Sequence, residues 1–285
     1  MNILTFDIED WYNCDFISHD YDWDKYEVRI YEGVNRILEA LESHQVKGTF
    51  FCLGWLAENH PEVIRSIHKA GHQVGAHSYQ HCLATEQDKK TFYADTERTK
   101  KGLEDVIGAE VNAYRAPGFS VTQNNLWVLD QIYELGFRYD CSIFPAAHDY
   151  GGFPDFGHSA PSLLSLANGG VLKEFPINFA QVAGKNLVFS GGGFFRLFPY
   201  VLIKKWSKEA DYLMSYFHPR DFDPGQPVME DLPRLRKFKS YVGLKTSYNK
   251  LLKYLNDFEF VNLLEADALV NWEDAKSIDI SRLIP

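Results

Sequence analysis

The chain has 285 residues, 45% of them hydrophobic and 15% aromatic, with a formal net charge of −10. This is enough apolar material for one large α/β unit with a sizeable core. The acidic balance argues against a nucleic-acid backbone as partner, and no run approaches the ~18 consecutive apolar residues of a membrane span.

The first residues enter a strand-like run directly, with no basic segment followed by a long apolar stretch, so no secretory signal is expected and a cytoplasmic location is the default. Cys14, Cys52, Cys82 and Cys141 form no Cys-x-x-Cys pair and are expected to be reduced thiols. In chain order, buried strands are expected at 2–6, 49–53, 73–76, 112–114, 138–141, 171–175, 212–217 and 258–263. Helices are expected between several of them. Val34, Ile37, Leu38 and Leu41 recur at i, i+3, i+4 and i+7, residues 61–69 begin with Pro at a permitted first-turn position, and 86–107 and 124–135 complete the set. Strand followed by helix, repeated about six or seven times, predicts a parallel sheet, and at this length a closed or nearly closed barrel. Residues 1–285 are read as one unit. Loop insertions near 143–170 and 186–199, rich in Gly and Pro, are expected to shape a site. Late in the chain Arg234, Arg236, Lys237, Lys239, Lys245, Lys250 and Lys253 cluster; a solvated helical face is the first expectation, an anionic sugar, a phosphate-bearing carrier or a membrane surface the second. Peripheral membrane association thus stays open.

Chemistry-bearing residues fall at the predicted strand ends, where such barrels carry their sites. His77 and His81 stand four apart, able to share one helical face or converge from a tight loop, and Asp7-Ile8-Glu9-Asp10 supplies hard oxygen donors. Two His and one carboxylate suit Zn²⁺ or another divalent metal and leave a position open for water. Asp7, ending the first strand, is the natural base. Glu9, two residues on and so on the same side of an extended backbone, is the better ligand, with Asp10 the alternative if the strand has already turned. Arg115, before Pro117-Gly118, can clamp Asp7. His218, held extended by Pro219, can donate a proton to a leaving nitrogen. His19, His44, His60, His68, His72, His148 and His158 lack such companions and are read as surface or structural.

This ordered set resembles the polysaccharide deacetylase family of carbohydrate esterases, the NodB homology domain, over about residues 1 to 265. The motifs are Thr5-Phe6-Asp7, Lys47-Gly48-Thr49-Phe50-Phe51, His77-Ser78 with His81, Arg115 with Pro117-Gly118, and His218. Phe6-Asp7-Ile8-Glu9-Asp10-Trp11, the run from Tyr139 to Pro145, Glu174-Phe175-Pro176, Gly191-Gly192-Gly193-Phe194-Phe195-Arg196 and His218-Pro219 look most like the branch associated with bacterial exopolysaccharide gene clusters. The resemblance implies a distorted (β/α)7 barrel and metal-dependent removal of acetyl from an N-acetylated saccharide. By resemblance Asp7 is the base, His77 and His81 are ligands, Arg115 orients Asp7 and His218 is the acid. The family's commonest pattern has two adjacent aspartates; Ile8 interrupts it here, which moves the ligand role to Glu9 or Asp10. The acidic partner of His218 is expected at Asp140 or Glu174. Trp11, Tyr79, Pro117, Phe119, Phe194 and Phe195 are expected against sugar rings, with Arg196 holding a carboxylate or phosphate of the glycan. Two rival readings share the scaffold: a hydrolase of cyclic imides or ureides, and a catalytically silent carbohydrate-binding protein.

Overall fold

The structure, a computed structural model, describes residues 1–13, 21–146, 151–182 and 184–283; Cys14, His19 and His148 lie outside them. Its strands are β1 (Asn2–Ile8), β2 (Thr49–Cys52), β3 (Gln73–Ala76), β4 (Ala113–Tyr114), β5 (Tyr139–Asp140), β6 (Ser162–Ser165), β7 (Val171–Glu174), β8 (Ala180–Val182), β9 (Lys185–Leu187), β10 (Leu213–Phe217) and β11 (Lys276–Asp279). Its helices are α1 (Ile30–Ser43), α2 (Gly54–Asn59), α3 (Pro61–Lys69), α4 (Lys89–Ile107), α5 (Trp127–Glu134), α6 (Gly192–Leu197), α7 (Tyr200–Glu209), α8 (Arg234–Tyr241), α9 (Leu244–Asp257) and α10 (Leu263–Leu269).

One sheet runs β10-β1-β2-β3-β4-β5-β7-β6-β11, parallel from β10 to β7, with β6 antiparallel to β7 and β11 parallel to β6. The strand period of two sorts each parallel strand between two cores. Leu4, Phe6, Ile8, Phe50, Cys52, Val74, Ala76, Tyr114 and Phe217 pack outward against helices such as α1 and α3. Ile3, Phe51, Ala113, Cys141, Phe175 and Met214 fill the interior with Tyr139 and Tyr216. Gly75 on β3 is required there, because a Cβ would stand 2.7 Å from the Phe51 ring. Thr5 and Asp7 share Ile3's side of β1, so a polar column rises through an apolar interior.

The seven parallel strands do not close edge to edge by backbone pairing alone. Beside β10, Asn178 Oδ1 accepts from Met214 N (3.0 Å), Ser190 Oγ donates to Met214 O (2.8 Å) and Gly191 forms one parallel bridge with Tyr216. The segment after β7 therefore covers β10's unpaired edge, and the result is a distorted (β/α)7 barrel. Of the eight expected strands the last, 258–263, differs. β2 takes β1's edge from Thr5 onward, leaving room only for a single Ile3 to Val261 bridge before Asn262 caps α10. Of the two stretches expected as loops, 143–170 carries β6, which pairs antiparallel with the expected strand β7, and 186–199 carries the end of β9 and α6.

Candidate active site

Asp7 and Glu9 leave the top of β1 on the same side while Ile8 goes to the outer core, as strand alternation requires. Both carboxylates are almost fully buried and line a cavity of ≈ 410 Å³ with His77, His81 and His218. Arg115, wholly buried, donates from one NH to Asp7 Oδ1 (2.7 Å) and to Thr5 Oγ1 (2.8 Å), and from Nε to the Cys141 carbonyl (3.2 Å). Its guanidinium lies 4.2 Å from the Phe51 ring centre. Burial alone would raise the Asp7 pKa, but the Arg115 charge and hydrogen bond, with His218, outweigh it and hold the carboxyl below its usual range.

His77 and His81 come from a loop, not a helical face. Ser78 and His81 adopt left-handed backbone (φ 60° and 58°), and the Ser78 and Tyr79 carbonyls accept from the first two amides of α2, which tie the loop down. His77 Nδ1 must donate to the Arg115 carbonyl (2.8 Å), which leaves the Nε2 lone pair for another partner. Burial pushes His77 down to about 3, further than Asp7 can pull it back, so the ring is neutral. His81 Nε2 stands 3.0 Å from Glu9 Oε2, a buried oxygen with no geometrically sound hydrogen bond. The His77 and His81 ring centres are 5.3 Å apart. Among the described residues no three His, Cys, Asp or Glu side chains are drawn around one point. A neutral imidazole, a second imidazole and an unsatisfied carboxylate oxygen are nevertheless a donor set that fits a divalent ion.

His218 faces this pair from β10, with Nε2 3.3 Å from Glu9 Oε1 and 3.9 Å from Asp7 Oδ2. Its Nδ1 donates to Asp221 Oδ2 (3.1 Å), which also accepts the His218 backbone N–H (2.9 Å). Burial would lower the His218 pKa, but Asp221, Glu9 and Asp7 together raise it. Asp221 is held low, at about 2, because Arg196 and His218 overcome its own burial. Arg196 Nε lies 2.8 Å from Asp221 Oδ1.

Residues 4–139 match the family model for polysaccharide deacetylase. Over that span the chain belongs to the polysaccharide deacetylase family. Residues 141–267 match a domain of unknown function, DUF3473. A solved candidate polysaccharide deacetylase from Mycobacterium smegmatis shares the fold, with a TM-score of 0.66 at 20% identity over 97% of this chain and 91% of that one. A peptidoglycan-N-acetylglucosamine deacetylase of Bacillus cereus is 31% identical over 97 residues, 34% of this chain and 35% of its own length. Chitin deacetylase 1 of Cryptococcus neoformans is 27% identical over 81 residues, 28% of this chain and 17% of its own. The chain thus spans about a third or less of these curated relatives. The family match carries Asp7, Glu9, His77, His81 and Arg115, while Arg196, His218 and Asp221 lie in the second region; the β1–β10 pairing brings the two sets together.

Several expectations within this deacetylase fold are corrected. Asp10 is no ligand candidate: Oδ1 accepts from Trp11 N (2.7 Å) and Oδ2 from Arg29 N (2.7 Å) and Ile30 N (2.8 Å), capping α1 from a distance. Trp11 is buried against Tyr12 and Tyr26 and donates to the Glu27 carbonyl (2.9 Å). Tyr79 lies beneath Arg98 (3.6 Å) and donates to Glu58 (2.6 Å), away from the cavity. Pro117 is buried and Phe195 packs on Phe217 and Tyr254, whereas Phe119 and Phe194 do line the cavity. Arg196 reaches the cavity, but its guanidinium serves Asp221 and the Lys239, Ser240 and Val242 carbonyls instead of a glycan. Asp140 and Glu174 are not partners of His218. They share the outward side of neighbouring strands, and burial raises both pKa values. The residue missed is Asp221. Its signal was His218-Pro219 followed by an acidic residue three after the His, the spacing of a capped Pro-initiated turn.

Proposed function

We propose that this chain is a metal-dependent hydrolase that removes N-acetyl groups from sugar units of a bacterial polysaccharide or its precursor, with the exopolysaccharide branch the closest motif likeness. One observation carries the reading: a buried aspartate held ionised by a buried arginine stands beside His81 and the unsatisfied Oε2 of Glu9, and opposite a carboxylate-backed imidazole. The names of the two curated relatives, both deacetylases of N-acetylated glycans, support the substrate class.

A divalent ion, with zinc the natural fit to two imidazoles and a carboxylate, would be held by His77, His81 and Glu9 and would supply Lewis acidity to water and acyl oxygen. Asp7 Oδ2, the oxygen not bonded to Arg115, is the base that takes the proton of the attacking water. Arg115 fixes the carboxylate's direction and keeps it ionised. His218, with Nδ1–H tied to Asp221, presents Nε2 to the cavity and delivers a proton to the departing amine. Acetate and a free amino sugar result, and the bond broken is the amide C–N. Phe119, Phe194 and Tyr216 supply apolar surface for a sugar ring.

The test is acetate release from N-acetylated oligosaccharides. Asp7→Asn keeps the shape of the site and removes the base, and is expected to lower kcat by ~10³-fold or more. Chelation should abolish activity and added divalent metal restore it. Acetate release that survives both treatments would overturn the reading, as would glycan binding with no turnover in the metal-loaded chain.

A further inference from the structure

The mouth of the cavity is built from residues that a soluble rim would avoid. Phe194 and Leu197 of α6 and Phe238 of α8 line it while 39%, 44% and 54% exposed. Leu235, one helical turn before Phe238 and so on the same side of α8, is 68% exposed. α8 reads Arg-Leu-Arg-Lys-Phe-Lys-Ser-Tyr, four cations and no acid in eight residues of a chain whose net charge is −10. Lys237 is matched by Glu230, Arg234 is exposed, and Arg236 and Lys239 stand at the cavity lining.

The geometry points to α8 and the α6 rim as a docking surface for an anionic lipid bilayer, seating the cavity mouth at the headgroup level. Charge complementarity selects this occupant, because Arg234 and Lys239 flank the protruding Leu235 and Phe238 on α8, with Arg236 and Lys237 on the rest of the helix. Lys and Arg stems can lie along that apolar surface with their charges toward anionic headgroups, while Leu235 and Phe238 enter the acyl boundary. Among the described residues no helix is long and apolar enough to cross a membrane. Joined to the proposed deacetylation, on which this step rests, the orientation implies a saccharide carried on a lipid and presented at the membrane surface.

The test is cosedimentation of the full chain with phosphatidylcholine vesicles with or without about 30% phosphatidylglycerol. Binding is expected only to the anionic vesicles and should fall as salt rises. Arg234→Gln and Leu235→Ser, both at exposed positions outside the cavity lining, are each expected to weaken it by about fivefold with melting temperature unchanged. The Asp7→Asn chain should bind as well as the parent, so the lipid result stands or falls separately from the catalytic one. No binding to anionic vesicles overturns the proposal. Equal binding by both variants overturns the assignment to this face, and a loss in Arg234→Gln alone overturns insertion of the apolar rim.

Discussion

A guanidinium with no solvent exposure, as in Arg115, is costly unless every neighbour answers it, and here Asp7, Thr5, the Cys141 carbonyl and the Phe51 face do so. That arrangement makes Asp7 both ionised and fixed in direction, which a solvated carboxylate would not be. At the opposite side of the cavity the same logic runs through Asp221, whose two oxygens face His218 and Arg196. Asp221→Asn should lower kcat by about 100-fold with a smaller change in KM, since it removes the charge that favours protonated His218 while leaving the ring in place. Steady-state kinetics on one N-acetylated oligosaccharide decides it; a variant with parental kcat would remove Asp221 from the mechanism. Asp7, Arg115 and His218 were legible from strand ends and turn residues, because a polar side chain at such a position has few structural uses. Asp140 and Glu174 misled for a physical reason: proximity in the motif says nothing about which side of a sheet a side chain leaves.

At the scale of elements, short-range pattern reported well the four helices it expected in the first half of the chain. α3 spans the 61–69 expected from its Pro start, and α1 buries the Val34, Ile37 and Leu41 stripe. Caps supplied from far along the chain were not visible. α1 begins at Arg29 without a side-chain cap of its own, and Asp10, some twenty residues earlier, accepts its first amides. The same contact explains why Asp10 is a structural group although it adjoins Glu9. Asp10→Ala should therefore cost about 1–2 kcal/mol of stability while acetate release at saturating substrate stays within a few-fold of the parent. Urea unfolding and the acetate assay measure the two effects, and a selective loss of metal binding with stability intact would return Asp10 to the ligand set.

At the scale of the molecule, His72 joins the segments that enter the neighbouring strands β2 and β3, through a bond that depends on pH. Its Nδ1 accepts from Gly48 N (3.2 Å), which requires a neutral ring there, and burial, then Lys47, lowers the pKa from 6.5 to about 4. Between those values the unfolded chain binds a proton that the folded chain refuses. Stability from this group is therefore complete above about pH 6.5 and declines as pH falls toward about 4. After discounting for solvent near the ring, the loss is roughly 1–2 kcal/mol. Comparing urea midpoints at pH 7 and near pH 4.5, His72→Asn should show a shallower fall than the parent; equal slopes would place the sensitivity elsewhere.

Sequence alone determined the alternation of strand and helix, the parallel sheet and the residues that crowd the strand ends, because periodicity and turn chemistry are local properties of a chain. Tertiary structure decided three things. It turned Glu9 into the cavity and Asp10 toward α1, and it paired His218 with Asp221, since a turn brings the two within hydrogen-bond reach. It also carried Arg196 from a glycine-rich loop to the back of that pair. Each choice depends on which face a side chain leaves and what stands opposite, and strands as distant in sequence as β1 and β10 meet only once the sheet has formed.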